Sequence, residues 1–440
     1  MNLEQILDRL EEKAQAYYPH PNVNAFKTTH HPYYFFSQEY MTNSAGTRTM
    51  YTLCHILNEC GFEAYVVADK PIVGMRTPIL TCEVREKHRE EGRHPIAVYN
   101  ETGLGNPLEG DVVVRWIMNK KVYIDGKPIP FSKNDLIFYW DRAYAETEIE
   151  NADELRSPIF DRSIFNTGGS IDKERSGFCY YAHKYLQFNN GKVKLPEILT
   201  KTGTSLCQDI KRTPYEIADI FRRSKILYCY EPSAIMAEAM LCGCPAVYIK
   251  TDYLNNFTWD EHIFTYPMVR EDQIDIHSHN ADAVSKVFDE WIGTFYESKK
   301  KKYGSNHNGF VSKTQKAAQD YKKVTKKPDR LTSFCKKHNP LYIYGGGVIA
   351  RQCYRVLKAM GLNVDGVVVS DVFENLEPVA KTFTGLNVYH LSEMESQKEQ
   401  CGFVLAMAVE RQDEVIKLLN ERGFKNYIRH SLCCPVVGKS

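Results

Sequence analysis

Short runs of β-branched and aromatic residues alternate with amphipathic helical stretches along almost the whole of this 440-residue chain. "YYFFS" (33–37) is followed by a loop, "QEYMTNSAGTR", then by a helical pattern, "TMYTLCHILNECG", and a second apolar run, "EAYVV". Leu53, Ile56 and Leu57 fall on one helical stripe that Gly61 closes, so this stretch predicts a βαβ unit. "PIAVY" (95–99), "DVVVRWIMN" (111–119) and "DLIFYW" (135–140) extend the same half. Such alternation predicts α/β units on parallel sheets rather than a barrel of hairpins. The length exceeds one ordinary core, which implies two or three domains.

A second series begins near residue 157. "GFCYYAHKY" predicts a strand, "TPYEIADIFRRS" a helix opened by a Thr-Pro cap, "KILYCYE" another strand, and "ADAVSKVFDEWIGTFYES" a closing helix. A third module starts near 340 with "PLYIYGGGVIARQCYRVLKAMGLNVDGVVVSD". Here Gly345, Gly347 and Ala350 place G-x-G-x-x-A between a strand and a helix, with Asp365 about 20 positions on and Asp371 after the next strand. That spacing fits a nucleotide-binding Rossmann-like turn, and equally a turn whose glycines only permit close helix packing. The expected division is 1–156, 157–297, a Lys-rich helix or linker at 298–337, and an accessory module at 338–440.

The total charge of +1 excludes a global field suited to nucleic acid. Residues 298–337, with twelve Lys and one Arg against two Asp, are the local exception. They read as a solvated linker, or as a basic face for anionic lipid at the inner side of a membrane or for an acidic partner. The acid-rich N-terminus does not have the layout of a secretion signal, and no apolar run reaches the length of a spanning helix. Thirteen cysteines without a CxxC pair read as reduced core residues, so a cytoplasmic protein is expected. "DIHSH" (275–279) reads as a polar connection rather than a metal cluster.

The chemistry is concentrated in "YCYEPSAIMAEAMLCGCPAVYIK" (228–250). Pro232 can start a helix, which puts Ser233 among the free backbone N–H groups at its front, a place that favours phosphate. Glu238 lies further in, where a carboxylate can accept from a sugar diol. Ala234, Ala237 and Ala239 leave room for a ligand. The same residues also describe a buried helix with two carboxylates on its rim.

"EPSAIMAEAMLCGCPAV" resembles the donor-site segment of nucleotide-sugar glycosyltransferases of the GT-B fold, with its "E-A-x-x-x-G-x-P-V" ending. "NSAGTRTMYTLCHILNECGFEAYVV" resembles their first βαβ unit, and "VYNETGLGNPLEGDVVVRWIMN" a segment of bacterial members that build surface polysaccharides. Together these cover about residues 30 to 295. The family spaces its two acidic residues eight apart, whereas Glu231 and Glu238 are seven apart.

The resemblance implies two Rossmann-like halves with a donor cleft between them, plus the third module. It implies transfer of a sugar from a nucleotide diphosphate to a glycan or lipid-linked hydroxyl, with no cofactor and no metal. Gly46, Thr47, Arg48, Arg115, Lys184, Ser233 and Glu238 are then the donor-binding candidates, with Lys184 against the diphosphate and Glu238 at the ribose. Glu231, Glu101 and Asp141 are the catalytic candidates, with His31 a further possible base; an inverting transfer needs one beside the acceptor hydroxyl. Asn106 is a substrate-binding or turn residue, and Arg115 has an alternative as half of a structural ion pair. Two other functions compete. One is a nicotinamide-dependent oxidoreductase using Gly345, Gly347 and Asp365. The other is a non-catalytic scaffold that binds nucleotide sugars.

Overall fold

The computed structural model describes residues 30–118, 131–140, 309–321 and 330–429, apart from positions 43, 60, 104 and 384, together with most of 144–251. Asp141, Pro232, "DIHSH", the helix expected at 280–297 and the lysines at 299–302 and 322–327 lie outside the described residues.

The fold is α/β, with three all-parallel sheets in chain order. Strands β1 (Tyr33–Phe36), β2 (Ala64–Val66), β3 (Ile96–Asn100), β4 (Val112–Ile117), β5 (Leu136–Tyr139) and β6 (Asp153–Glu154) form the first, in the order β2-β1-β3-β4-β5-β6. β7 (Cys179–Tyr181), β8 (Thr204–Ser205), β9 (Leu227–Cys229) and β10 (Ala246–Tyr248) form the second, ordered β10-β9-β7-β8. The third contains β11 (Leu341–Tyr344), β12 (Gly366–Val369), β13 (Asn387–His390), β14 (Gly402–Leu405) and β15 (Tyr427–Arg429), ordered β13-β12-β11-β14-β15. In each sheet the chain moves outward on one side of its first strand and then returns to the other side. That reversal opens a crevice at the carboxyl ends of β1 and β3, of β7 and β9, and of β11 and β14.

The twofold alternation of β1 decides how the sheets pack. Tyr33 and Phe35 point to one face and join a core that includes helix α1 (Ala45–Glu59), Phe221, Leu227 and Met240 of the second lobe. Tyr34 and Phe36 point to the other face and join Ala350, Cys353, Val356 and Leu357 of the third module. With a fully buried strand on both faces, each such side chain contributes roughly 1.5–3 kcal/mol of apolar burial. The third module is therefore built onto the first lobe rather than tethered beside it.

Part of the expected linker is also core. Helix α7 (Phe310–Gln319) stacks Phe310 on Tyr33 at 5.7 Å, and Thr314 Oγ1 meets the Tyr33 hydroxyl at 2.8 Å. The Gln315 carboxamide pairs with both backbone groups of His31 at 2.8 Å each. Lys313 is tied to Asp153 at 2.8 Å and Lys316 to Asp320 at 2.8 Å, so neither is an unpaired part of a basic face.

Two element boundaries move, each for a local reason. α1 starts at Ala45 instead of Thr49, because Ser44 caps it: the Arg48 N–H donates to the Ser44 carbonyl at 3.0 Å and the Thr47 N–H to Ser44 Oγ at 3.4 Å. The expected "GFCYYAHKY" strand stops at Tyr181 and turns into a short helix, α3 (His183–Phe188), whose front is held by the Glu231 carboxylate that follows β9. Helix α5 (Pro214–Arg223) forms as its sequence indicates, with a Thr213–Glu216 capping box.

Candidate functional site

The carboxyl ends of the first two sheets face one another. From the first lobe, Glu101 follows β3 and Arg48 sits on the first turn of α1. From the second, Lys184 follows β7, while Glu231 and Ser233 follow β9. Helix α6 (Ile235–Leu241) then carries Glu238. Both sheets thus bring their reversal points to one place.

Glu231 is fully buried. Its Oε2 accepts the Tyr185 N–H at 2.8 Å, which fixes α3, and Oε1 has no partner. Burial raises its pKa, and the Lys184 charge and the backbone of residues 184 and 185 oppose that rise. Glu101 is also buried; its Oε2 accepts the Met118 N–H at 3.0 Å. Burial raises its pKa as well, and Lys184 is again the charge that opposes it. The same charge thus acts at a distance on two buried carboxyls, one from each lobe. Burial drives the pKa of the Tyr181 hydroxyl well up, and the Ser233 side chain works weakly against that rise. The rings of Tyr185 and Tyr230, the chain neighbours of Lys184 and Glu231, stack at 5.7 Å.

Arg48 and Glu238 meet directly, with Nη1 to Oε1 at 2.7 Å. Burial raises the Glu238 pKa and Arg48 lowers it. The carboxylate placed at a ribose diol by resemblance is thus engaged across the lobes. Every residue of α6 is buried, so Ala237 and Ala239 pack in the core rather than lining an open wall. The helix expected from Pro232 begins at Ile235. Gly46, by contrast, faces open space: an added Cβ would meet nothing within 4 Å. Its neighbour Thr47 is turned inward, its hydroxyl donating to the Met41 carbonyl at 3.2 Å.

Three other candidates are committed elsewhere. Arg115 donates to Asp135 at 2.8 Å and to the Gly103 carbonyl at 2.8 Å, also reaches the Gly105 carbonyl, and lies 4.7 Å from the Tyr99 ring centre. Of its two readings, the structural ion pair is the one present, and it ties the loop after Glu101 in place. Asn106 accepts the Tyr99 hydroxyl at 2.8 Å and donates to the Gly110 carbonyl at 2.8 Å, as a turn residue does. His31 precedes β1, at the opposite edge of the sheet from Glu101; burial lowers its pKa.

In the third module Gly345 has φ of 131°, and a Cβ there would stand 2.8 Å from the Ala406 carbonyl, so close strand approach already accounts for it. Gly347 caps helix α9 (Val348–Ala359). Asp365 lies before β12, its carboxylate accepting the Leu341 N–H at 2.7 Å, which is the amino edge of the sheet and far from the glycine turn. Asp371 occupies the carboxyl edge instead, paired with Arg422 at 2.6 Å. Helix α9 is pinned to the first lobe: Gln352 donates to the Ser37 carbonyl at 2.7 Å, and Arg355 reaches Asp69 at 2.6 Å and Glu39 at 3.2 Å.

Sequence reading missed Ser37, buried at the carboxyl end of β1 with an unpartnered hydroxyl. A lone serine closing the run "YYFF" was the available signal. Tyr181 was missed because "CYY" reads as core. Among the described residues no group of His, Cys, Asp and Glu is arranged to hold a metal, and no helix is long and apolar enough to cross a membrane. No protein-family model matches the chain, and no curated protein matches its sequence.

Proposed function

We propose that the chain is a glycosyltransferase of the GT-B type that moves a sugar from a nucleotide-diphosphate donor to a hydroxyl of a glycan or lipid-linked acceptor. The observation that carries this reading is the 2.7 Å contact of Arg48 with Glu238, which brings the reversal points of two parallel sheets together where Lys184 follows β7. In such sheets ligands bind outside the carboxyl ends of the strands at the reversal. The ammonium of Lys184 offsets negative charge developing on the leaving diphosphate. Glu101, with its pKa raised by burial, is suited to take the acceptor proton. Glu231, wholly enclosed, acts by holding α3 and hence Lys184. Gly46 leaves the approach from the first lobe open.

The test is a thermal-shift panel of nucleoside diphosphates and their sugars, followed by a search for turnover with glycan acceptors. A ligand at 100 times its Kd adds about 2.7 kcal/mol to stability. Stabilisation by at least one nucleotide sugar, lost in Lys184→Ala, supports the reading. A panel without any shift or turnover removes it.

A further inference from the structure

Helix α9 meets the first lobe along two adjacent stripes. Ala350, Cys353, Val356 and Leu357 pack with Tyr34 and Phe36 in one apolar core. Arg351, Gln352 and Arg355 form the next stripe of the same helix and reach the segments that leave the carboxyl ends of β1 and β2. The Gln352 carboxamide donates to the Ser37 carbonyl at 2.7 Å. Arg355 Nη2 stands 3.2 Å from Glu39 Oε2 and 2.6 Å from Asp69 Oδ2, and Arg351 reaches the same two carboxylates at 3.4 Å and 2.7 Å. Adhesion alone does not call for this second stripe. The apolar stripe already covers the sheet face, whereas Gln352 and Arg355 are themselves buried, and enclosing a carboxamide and a guanidinium costs free energy that their bonds only partly offset. What the polar stripe adds is the placement of a loop.

That loop connects β1 to α1. After Ser37 and Glu39 it passes to Tyr40, whose ring lies 5.4 Å from that of Tyr51 on α1. The Met41 N–H donates to Thr47 Oγ1 at 3.1 Å, and the Ser44 N–H to the Met41 carbonyl at 3.1 Å. The Ser44 carbonyl then accepts the Arg48 N–H at 3.0 Å, and the Arg48 guanidinium spans to Glu238 of the second lobe at 2.7 Å. Contacts therefore run without a gap from the third module to the ion pair between the lobes.

We infer that Arg351, Gln352 and Arg355 are positioning residues for the interlobe crevice: by gripping the loop at Ser37 and Glu39 they hold the first turn of α1 where Arg48 meets Glu238, so the third module sets how the two lobes close. For a nucleotide-sugar donor, a consequence that rests on the glycosyltransferase reading above, the grip keeps both walls of the crevice within reach of one ligand. Glu39 separates this role from docking. It belongs to the loop, whereas Asp69 and the apolar stripe keep α9 seated without it.

The experiment is amide hydrogen exchange of the full chain, wild type against Glu39→Gln and Glu39→Lys, followed at Thr47 and Arg48 and, as a control, along α9. The Glu39 side chain is 47% exposed, so neither change should move the melting temperature much. Exchange at Thr47 and Arg48 is expected to quicken by roughly fivefold in Glu39→Lys, which sets a like charge against Arg351 and Arg355, and by less in Glu39→Gln, with α9 unchanged. Calorimetry with UDP-glucose and GDP-mannose forms the second arm, in which Kd rises by a similar factor in Glu39→Lys. Exchange at Thr47 and Arg48 that stays at the wild-type rate in Glu39→Lys overturns the inference, whatever the chain binds. Faster exchange with an unchanged Kd also overturns it, because the loop then moves without consequence for the crevice. If the wild-type chain binds neither sugar nucleotide nor any member of the wider panel, the glycosyltransferase reading fails, and the exchange result still decides whether the third module holds Arg48. Should Glu39→Lys lose its fold, Glu39→Gln carries the same comparison.

Discussion

Arg48 Nη1 stands 2.7 Å from Glu238 Oε1, and this ion pair joins the first helix of one lobe to the helix that follows β9 in the other. Both side chains are largely enclosed, at 12% and 6% exposure, so neither charge is well solvated without its partner. Removing one partner of such a pair typically costs about 3–5 kcal/mol, most of it for the charge left behind. Arg48→Met is therefore expected to lower stability to urea by about that much. The double change Arg48→Met with Glu238→Leu should recover most of the loss, because it leaves no buried charge. A double variant as unstable as the single one would show that the pair is not the source.

A different outcome is expected at Arg115, which is buried within one lobe. Its guanidinium serves Asp135 and two loop carbonyls and packs on Tyr99, a set that a lysine ammonium cannot reproduce. Arg115→Lys should cost nearly as much stability as Arg115→Ala, roughly 3 kcal/mol by the same reasoning. The residual folded fraction should bind nucleotide with unchanged affinity, since Arg115 is committed to Asp135, the 103–105 loop and the Tyr99 ring. A selective loss of binding in Arg115→Lys, with stability intact, would restore it to the donor site.

The two arginines also mark how far the sequence could be read. The α/β class, the order of the units and most helix positions were legible, because hydrophobic period and caps such as Thr213 act locally. Glu101, Lys184, Glu231 and Ser233 could be nominated because each ends a recognisable strand. Partners could not: that Arg48 meets Glu238 depends on how two sheets sit, and nothing near residue 48 in the chain records it. The docking of the third module was hidden for the same reason. A β1 with both faces apolar signals that something covers each face, but the cover for Tyr34 and Phe36 lies more than 300 residues away.

That docking predicts the fate of a truncation. Ending the chain before residue 330 would uncover Tyr34, Phe36, Ala97, Tyr99 and Leu108, an apolar patch that soluble monomers rarely expose. The shortened protein should aggregate or bind an apolar dye strongly, measured by light scattering and dye fluorescence. A soluble, monomeric truncation with unaltered melting would mean the third module is a separable accessory.

Acid and base should weaken different joints. The Arg355 and Arg351 hydrogen bonds hold the Asp69 carboxyl down at about 2, below its ordinary 3.8. At Glu63, burial alone would raise the pKa, but bonds from His88 and Arg93 bring it to about 2 from 4.5. A lowered folded pKa gives stability that is present above the unfolded value and lost as pH falls through the folded one. The hold on the third module should therefore weaken between about pH 4 and pH 2, and Asp69→Asn should reduce that acid sensitivity. Glu101, Glu231 and Glu238 are raised, so their contribution runs the other way, present in acid and lost as pH rises through their folded values. Glu231→Gln should blunt the loss toward higher pH. Melting temperatures across pH 3 to 9 for both variants test the two signs separately.

The glycine turn of the third module offers the sharpest contrast within three residues. At Gly345 the backbone lies at a φ of 131° and a Cβ would be 2.8 Å from a carbonyl oxygen that belongs to the neighbouring strand's end. Gly345→Ala must therefore move backbone, and a loss of roughly 2–4 kcal/mol is expected from strain and repacking. At Gly347 an added Cβ meets nothing within 4 Å, so Gly347→Ala should leave the melting temperature nearly unchanged. If the turn only permits close packing, neither variant changes any nucleotide affinity beyond what lost folding explains. If it cradles a pyrophosphate, the open position at Gly347 is where a methyl group intrudes, and binding of a reduced nicotinamide nucleotide, followed by fluorescence, should fall in Gly347→Ala alone. Asp365, bonded to Leu341 at the far edge of the sheet, is in no position to hold a ribose at that turn, which favours the packing outcome.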